Sequence, residues 1–135
     1  MNKVNKSGII LYVNEYKKCV SFYKDILELE VLFSNKDLTC FDFFGSYLMV
    51  EKEDRKDYLI IQKEKKNYTC LRLNVQNVKE VSDKLKNKNI EIDYQEHDWG
   101  IVAKFKDPDG NLIAIKDSEK FDKQIEEYNL TNKIN

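Results

Sequence analysis

Cysteine is scarce and odd in number: Cys19, Cys40 and Cys70 stand far apart with no C-x-x-C pair. This argues against a disulfide framework and a structural zinc site, and leaves reduced, buried thiols as the expectation. One proline and four glycines provide few breaks for linkers, so no internal domain boundary is drawn before the polar C-terminal segment. Neither charge sign prevails, because 23 basic and 24 acidic residues, interleaved along the chain, cancel to a net charge of -1. No basic face exists to attract a polyanion, and nucleic acid is not expected as a partner. The longest apolar runs, such as residues 9–13 and 47–50, fall far short of the roughly 18–20 residues that cross a bilayer. No apolar signal region follows the first residues, so the expectation is a cytoplasmic protein with no membrane partner. The one histidine, His97, lies in the polar stretch 95–98, which reads as a solvated loop. No Ser/His/Asp or Cys/His arrangement for nucleophilic catalysis can be assembled.

What the chain does have is apolar content and an internal repeat. Hydrophobic residues make up 41% of the 135, enough for a packed core. Residues 9–13 read as a strand, and Asn14 or Glu15 can cap a helix with Tyr16, Cys19, Val20, Tyr23, Ile26 and Leu27 on its apolar face. A shift of 62 positions repeats the grammar: 71–75 is a strand, and Asn77 with Glu80 opens a helix that buries Val78, Val81 and Leu85. Extended stretches follow at 29–33 and 90–94, then strands at 39–44 and 47–51, and at 101–106 and 112–116. The spacing predicts an α+β fold of two paired β-α-β-β-β modules, about 7–54 and 68–117, within one domain over 1–117. Residues 118–135 should form a helix with Phe121, Ile125 and Tyr128 on one face, capped by Asp117 or Ser118 and frayed from Thr131 onward. The sequence Asp107-Pro108-Asp109-Gly110-Asn111 is a turn joining the last two strands. Ser118 stands where a calcium loop would need glutamate, so this turn is read as structural.

The strand ending at Val13, the helix carrying Phe22-Tyr23 and Asp25-Ile26-Leu27, the late Trp99-Gly100 and the run from Phe105 through Asp107-Pro108-Asp109-Gly110-Asn111-Leu112-Ile113 together resemble the vicinal oxygen chelate superfamily. That superfamily includes glyoxalase I, bleomycin-resistance proteins, fosfomycin-resistance enzymes and extradiol dioxygenases. The resemblance covers residues 8–116 and implies two modules whose curved sheets enclose a cavity, commonly within a homodimer. It also implies four metal-ligand positions, a histidine opening each module and a glutamate on a late strand of each. Here those positions hold Gly8, Cys70 and Ala114, with Met49 or Glu51 as the fourth. A catalytic divalent site needs about three protein ligands, so no metal and no other cofactor is expected. Without a Lewis acid, glyoxalase chemistry loses its means of polarising a carbonyl.

Strand alternation identifies the side chains opposite the helices. In the first module these are Gly8, Ile10 and Tyr12 with Tyr47, Met49 and Glu51; in the second they are Cys70, Arg72 and Asn74 with Val102 and Lys104. Arg72 can clamp an anionic group or fill the interior as one half of an ion pair with Glu51 or Asp42. Tyr12, Tyr47 and Trp99 can wall a flat ligand, Trp99 at the rim, and Asn74 and Lys104 can add polar contacts. The expected function is metal-free binding of a small-molecule ligand, as in antibiotic sequestration. The alternative is a lyase or isomerase with Glu51 as base and Arg72 or Lys104 replacing the metal.

Overall fold

A computed structural model describes residues 3–53 and 69–133. They divide into two compact units, one of residues up to 66 together with Asp107–Gly110, the other of 67–106 with 111 onward.

In the first unit, β1 (Gly8–Val13), α1 (Tyr16–Ser21), β2 (Val31–Ser34), β3 (Leu38–Phe43) and β4 (Ser46–Lys52) follow in order. The sheet runs β1-β4-β3-β2, with β1 parallel to β4 and the other pairs antiparallel. α1 continues as a π-helical turn over Phe22–Ile26, closed by the Leu27 amide donating to the Phe22 carbonyl at 3.1 Å. The wider turn lets the consecutive aromatics Phe22 and Tyr23 both face inward, their rings edge to face at 5.2 Å. Val13, Cys19, Tyr23, Phe41, Leu48 and Val50 form the buried core of this unit.

Neither Asn14 nor Glu15 caps α1 with its own side chain. The Asp109 carboxylate does so instead, accepting from the Asn14 and Glu15 amides at 3.1 and 3.2 Å. The turn that carries it is tightly made: the Gly110 amide donates to the Asp107 carbonyl at 3.0 Å, and the Asp109 amide donates to the Asp107 carboxylate at 2.8 Å. The same Asp107 carboxylate accepts from the fully buried Tyr23 hydroxyl at 2.7 Å. Burial, and then the neighbouring Asp107 charge, push the Tyr23 phenol far above its usual range.

The second unit repeats the order: β5 (Cys70–Val75), α2 (Val78–Asn87), β6 (Asp93–His97), β7 (Gly100–Lys106), β8 (Leu112–Asp117), then α3 (Ser118–Lys133). Its sheet runs β5-β8-β7-β6 with β5 parallel to β8, the same topology as the first. Asn77 caps α2 by accepting from the Glu80 amide at 3.0 Å. Leu71, Val78, Leu85, Phe105, Ile113 and Ile115 are the core.

Four expectations need correction. The strand expected at 90–94 forms at Asp93–His97, because Asn89 turns left-handed (φ 63°) and the Ile90 amide is still bonded to the Leu85 carbonyl at the helix end. His97 is therefore the last residue of a strand rather than part of a loop. Cys19 and Cys40 are buried as expected, but Cys70 is exposed at the first position of β5. α3 is helical through Lys133 rather than frayed from Thr131, whose hydroxyl bonds the Glu127 carbonyl at 2.9 Å. Among the described residues, no helix is long and apolar enough to cross a membrane.

Candidate functional site

Each sheet has one face toward its helix and one facing away, and the strand register identifies the residues on each. In the first unit, Gly8, Ile10 and Tyr12 lie beside Tyr47, Met49 and Glu51, and Met49 in turn lies beside Cys40 on β3. These share the face away from α1, as alternation requires. Tyr12, Tyr47, Met49 and Glu51 are half-buried. The Tyr47 ring lies directly over Gly8, so that a Cβ at position 8 would be 2.3 Å from two ring carbons. A side chain of any kind at that position, imidazole included, competes with the ring for the same space. Burial pushes the nearby Cys40 thiol above its usual pKa.

The register also bears on the choice between Met49 and Glu51. In the second unit Arg72 pairs with Ala114, and in the first Ile10 pairs with Met49, with Arg72 and Ile10 each two residues into the opening strand. Met49 is thus the counterpart of Ala114, and Glu51 is the counterpart of Lys116. On that correspondence, the metal positions that the family resemblance implies would fall at Gly8, Met49, Cys70 and Ala114. They offer one thiol, one thioether and no imidazole or carboxylate, which does not fit a hard divalent ion. Among the described residues, no three His, Cys, Asp or Glu side chains come together.

On the second unit's outward face, Arg72 and Lys104 flank Ala114 from the two neighbouring strands, and both are exposed. Asn74 lies beside Lys116 and is also exposed. Among the described residues, neither Arg72 nor Lys104 forms an ion pair. A cavity of about 410 Å³ adjoins Lys104, lined also by Asp93, Lys106 and Leu112.

Trp99 sits in the turn between β6 and β7, half-exposed, with its ring stacked on His97 at 4.5 Å and 9°. The His97 Nε2 is 2.8 Å from the Gln95 side-chain oxygen, so this imidazole is held by Gln95 and Trp99. The residue that sequence reasoning missed is Lys116, only 4% exposed, with its ammonium 5.8 Å from the Trp99 ring centre and 5.6 Å from that of Phe121. The alternation that placed Ala114 on this face places Lys116 there too; the signal was present on β8 and was followed only as far as position 114.

These observations can be set beside known proteins. The family model described as "Glyoxalase-like domain" matches residues 6–120. An uncharacterized Bacillus subtilis protein, YraH, is 33% identical over 119 aligned residues, covering 79% of this chain and 93% of that one. The lactoylglutathione lyase of Agrobacterium tumefaciens superposes with a TM-score of 0.67 at 16% identity, covering 87% of this chain and 96% of that one. The fosfomycin resistance protein FosX of Listeria monocytogenes gives 0.69 at 19%, with coverages of 85% and 93%. TnmS3, an antibiotic binding protein of a Streptomyces species, gives 0.65 at 19%, with 87% and 98%. At such identities the structures share a fold with this chain. With the twice-used β-α-β-β-β topology and a family match spanning both modules, the chain belongs to the glyoxalase-like family of the vicinal oxygen chelate superfamily.

Proposed function

We propose that this protein binds a small molecule without a metal and holds it unchanged, a role of sequestration in the cytoplasm. The observation that carries this reading is the state of the family's ligand positions: the Tyr47 ring occupies the space over Gly8, and Ala114 lies as a bare floor between Arg72 and Lys104. The first unit presents an aromatic ring there and the second two cations with no ion pair among the described residues, groups that bind organic anions and carbonyls. Tyr12 and Tyr47 on the first unit and Asn74 on the second are further candidates for ligand contact. A fold neighbour described as an antibiotic binding protein is compatible with such a role. The register favours binding over the lyase or isomerase alternative, since it makes Glu51 the counterpart of Lys116 rather than of Ala114.

A thermal-shift screen of small carboxylates, phosphates and aromatic antibiotics, run with and without chelator, tests the reading. We expect ligands that stabilise the wild type irrespective of chelator, that are recovered unaltered by mass spectrometry, and whose effect is lost in Arg72→Ala. A ligand recovered chemically changed, or near-stoichiometric metal abolished by Cys70→Ala, would overturn it.

We further propose a homodimer, since β1 and β2 are sheet edges carrying exposed Ile9, Ile10, Leu32 and Phe33. Light scattering at micromolar concentration should give about twice 16.1 kDa, and the monomer mass alone contradicts the proposal.

A further inference from the structure

α3 is covered on no side. Every residue from Glu119 to Thr131 is exposed, whereas helices in proteins draw most of their stability from one apolar face packed on a neighbour. Such a face is present. At about 100° per residue, Phe121, Ile125 and Tyr128 fall together with Gln124, Asn129 and Thr131 in an arc of about 160° that contains no charge. The charged residues from Glu119 to Glu127 all lie outside that arc, where Glu119 and Lys123 are ion-paired at 3.7 Å.

The uncharged face continues beyond the helix. The Lys116 ammonium, beside the Asp117 carboxylate, lies 5.8 Å from the Trp99 ring centre and 5.6 Å from that of Phe121, so the two rings are neighbours across it. Trp99 is 50% exposed, Phe121 38%, Ile125 47% and Tyr128 69%. With roughly 200 Å² for a whole side chain of this kind, the four leave about 400 Å² of apolar surface open, a size that marks an interaction surface. Their identities agree, since Trp and Tyr are enriched among the residues that anchor protein interfaces.

Resting on the homodimer proposed above, we infer that its two copies meet through this face, with the α3 helices packed antiparallel about a two-fold axis at Ile125. In that arrangement the stripe is self-complementary: Ile125 meets its own copy, and Phe121 lies level with the partner's Tyr128. The axis also sets the same flank of both helices together. Lys120 and Glu127 share one flank, so each faces its opposite charge on the partner, while Ser118 and Asn129 border the other flank without charge. A foreign partner requires no such match between the two ends of one helix. Doubled, the open apolar surface is about 800 Å², and at the roughly 60% apolar share of an interface this implies about 1,300 Å² in all, within the roughly 1,200–2,000 Å² of stable complexes. The contact is distinct from the β1 and β2 edges, which belong to the first unit.

The test is light scattering after size exclusion at micromolar concentration, where the wild type should give about twice 16.1 kDa. Ile125→Asp sets two carboxylates against each other at the axis and should weaken association about a hundredfold or more, leaving the monomer mass. Leu130→Asp, an equally exposed site on the opposite side of the same helix, should leave the dimer intact. Lys120→Glu and Glu127→Lys should each weaken association about fivefold, and the double variant should restore it. Trp99 is the chain's only tryptophan, so its emission should move to shorter wavelength as the wild type is concentrated and the ring is covered.

A dimer that survives Ile125→Asp overturns the helix contact and leaves the homodimer standing, held elsewhere. Loss of the dimer in Leu130→Asp overturns it as well, because the effect then belongs to the helix and not to its uncharged face. A double charge variant no tighter than its parents overturns the antiparallel pairing, and a monomeric wild type overturns contact and homodimer together. Were Ile125→Asp not to fold, Ile125→Cys in a Cys70→Ser background carries the test, since the other two cysteines are buried. A short bis-maleimide should then join two copies through position 125 and not through Leu130→Cys, and equal yields from the two sites refute the contact.

Discussion

Replacing Asp107 by alanine is expected to lower the free energy of unfolding by about 2–4 kcal/mol, read as a reduced urea midpoint with unchanged slope. The change removes the acceptor of the Tyr23 hydroxyl, a donor that is fully buried and would be left without its 2.7 Å bond. It also removes the side-chain bond that closes the turn on the Asp109 amide, and with it the placement of the carboxylate that caps α1. Tyr23 adds a pH signature. Its folded-state pKa is raised, by burial first, above the value of 10.0 expected in the unfolded chain. The native state thus keeps a proton that the unfolded state releases, and stability from this group is complete below pH 10 and declines above it. The expected slope is at most about 1.4 kcal/mol per pH unit. Tyr23→Phe should abolish that component, and an unchanged alkaline slope in this variant would show that other groups govern it.

The second large effect is expected at Asp117, where alanine should cost about 2–3 kcal/mol. One carboxylate oxygen accepts from the Ile101 amide at 2.8 Å and the other from the Lys120 amide at 2.9 Å, so a single side chain ties β8 to β7 and caps α3. Gly100 completes the fit: its φ of 143° and the 2.6 Å between a built Cβ and the Asp117 oxygen leave no place for a larger residue. Burial alone would raise the Asp117 pKa, but the two amides and the Lys116 ammonium bring it below 3.8. A depressed folded-state pKa means that its contribution is complete above about pH 4 and is lost as the pH falls through the folded value. Asp117→Asn should therefore lose stability at neutral pH and show a shallower acid limb, with circular dichroism at 222 nm also losing helix signal from α3. Parallel acid limbs in the two proteins would refute this assignment.

The repeat was readable because the code it uses is local. Period-two alternation in Leu71, Leu73 and Val75 and the Asn77–Glu80 cap are properties of short stretches, and the structure places them as the pattern requires. What failed to show were matters decided at a distance. Asn14 and Glu15 are competent caps, yet the carboxylate that does the work comes from position 109. A π-helical turn at 22–26 answers to two aromatics competing for one core and leaves no mark in helical spacing. His97 reads in the sequence as a solvated loop residue and Trp99 as a rim residue, whereas a strand displaced toward the C-terminus stacks them. At the candidate site, alternation marked the face of Arg72 and Lys104, but not that the Tyr47 ring would lie on Gly8. The turn 107–110 was recognised, though its attachment to the first unit was not.

That attachment bears on how the chain is made. The Tyr23 hydroxyl and its acceptor are 84 residues apart, so on a ribosome adding about 5–20 residues per second the acceptor emerges roughly 4–17 s after the tyrosine. Throughout that interval the first half of the molecule has its strands and helix but neither the cap on α1 nor the partner of its most buried polar group. Completion waits on the reversal between the last two strands, and a translational pause before position 107 prolongs the period in which the nascent first half is open to chaperones and proteases.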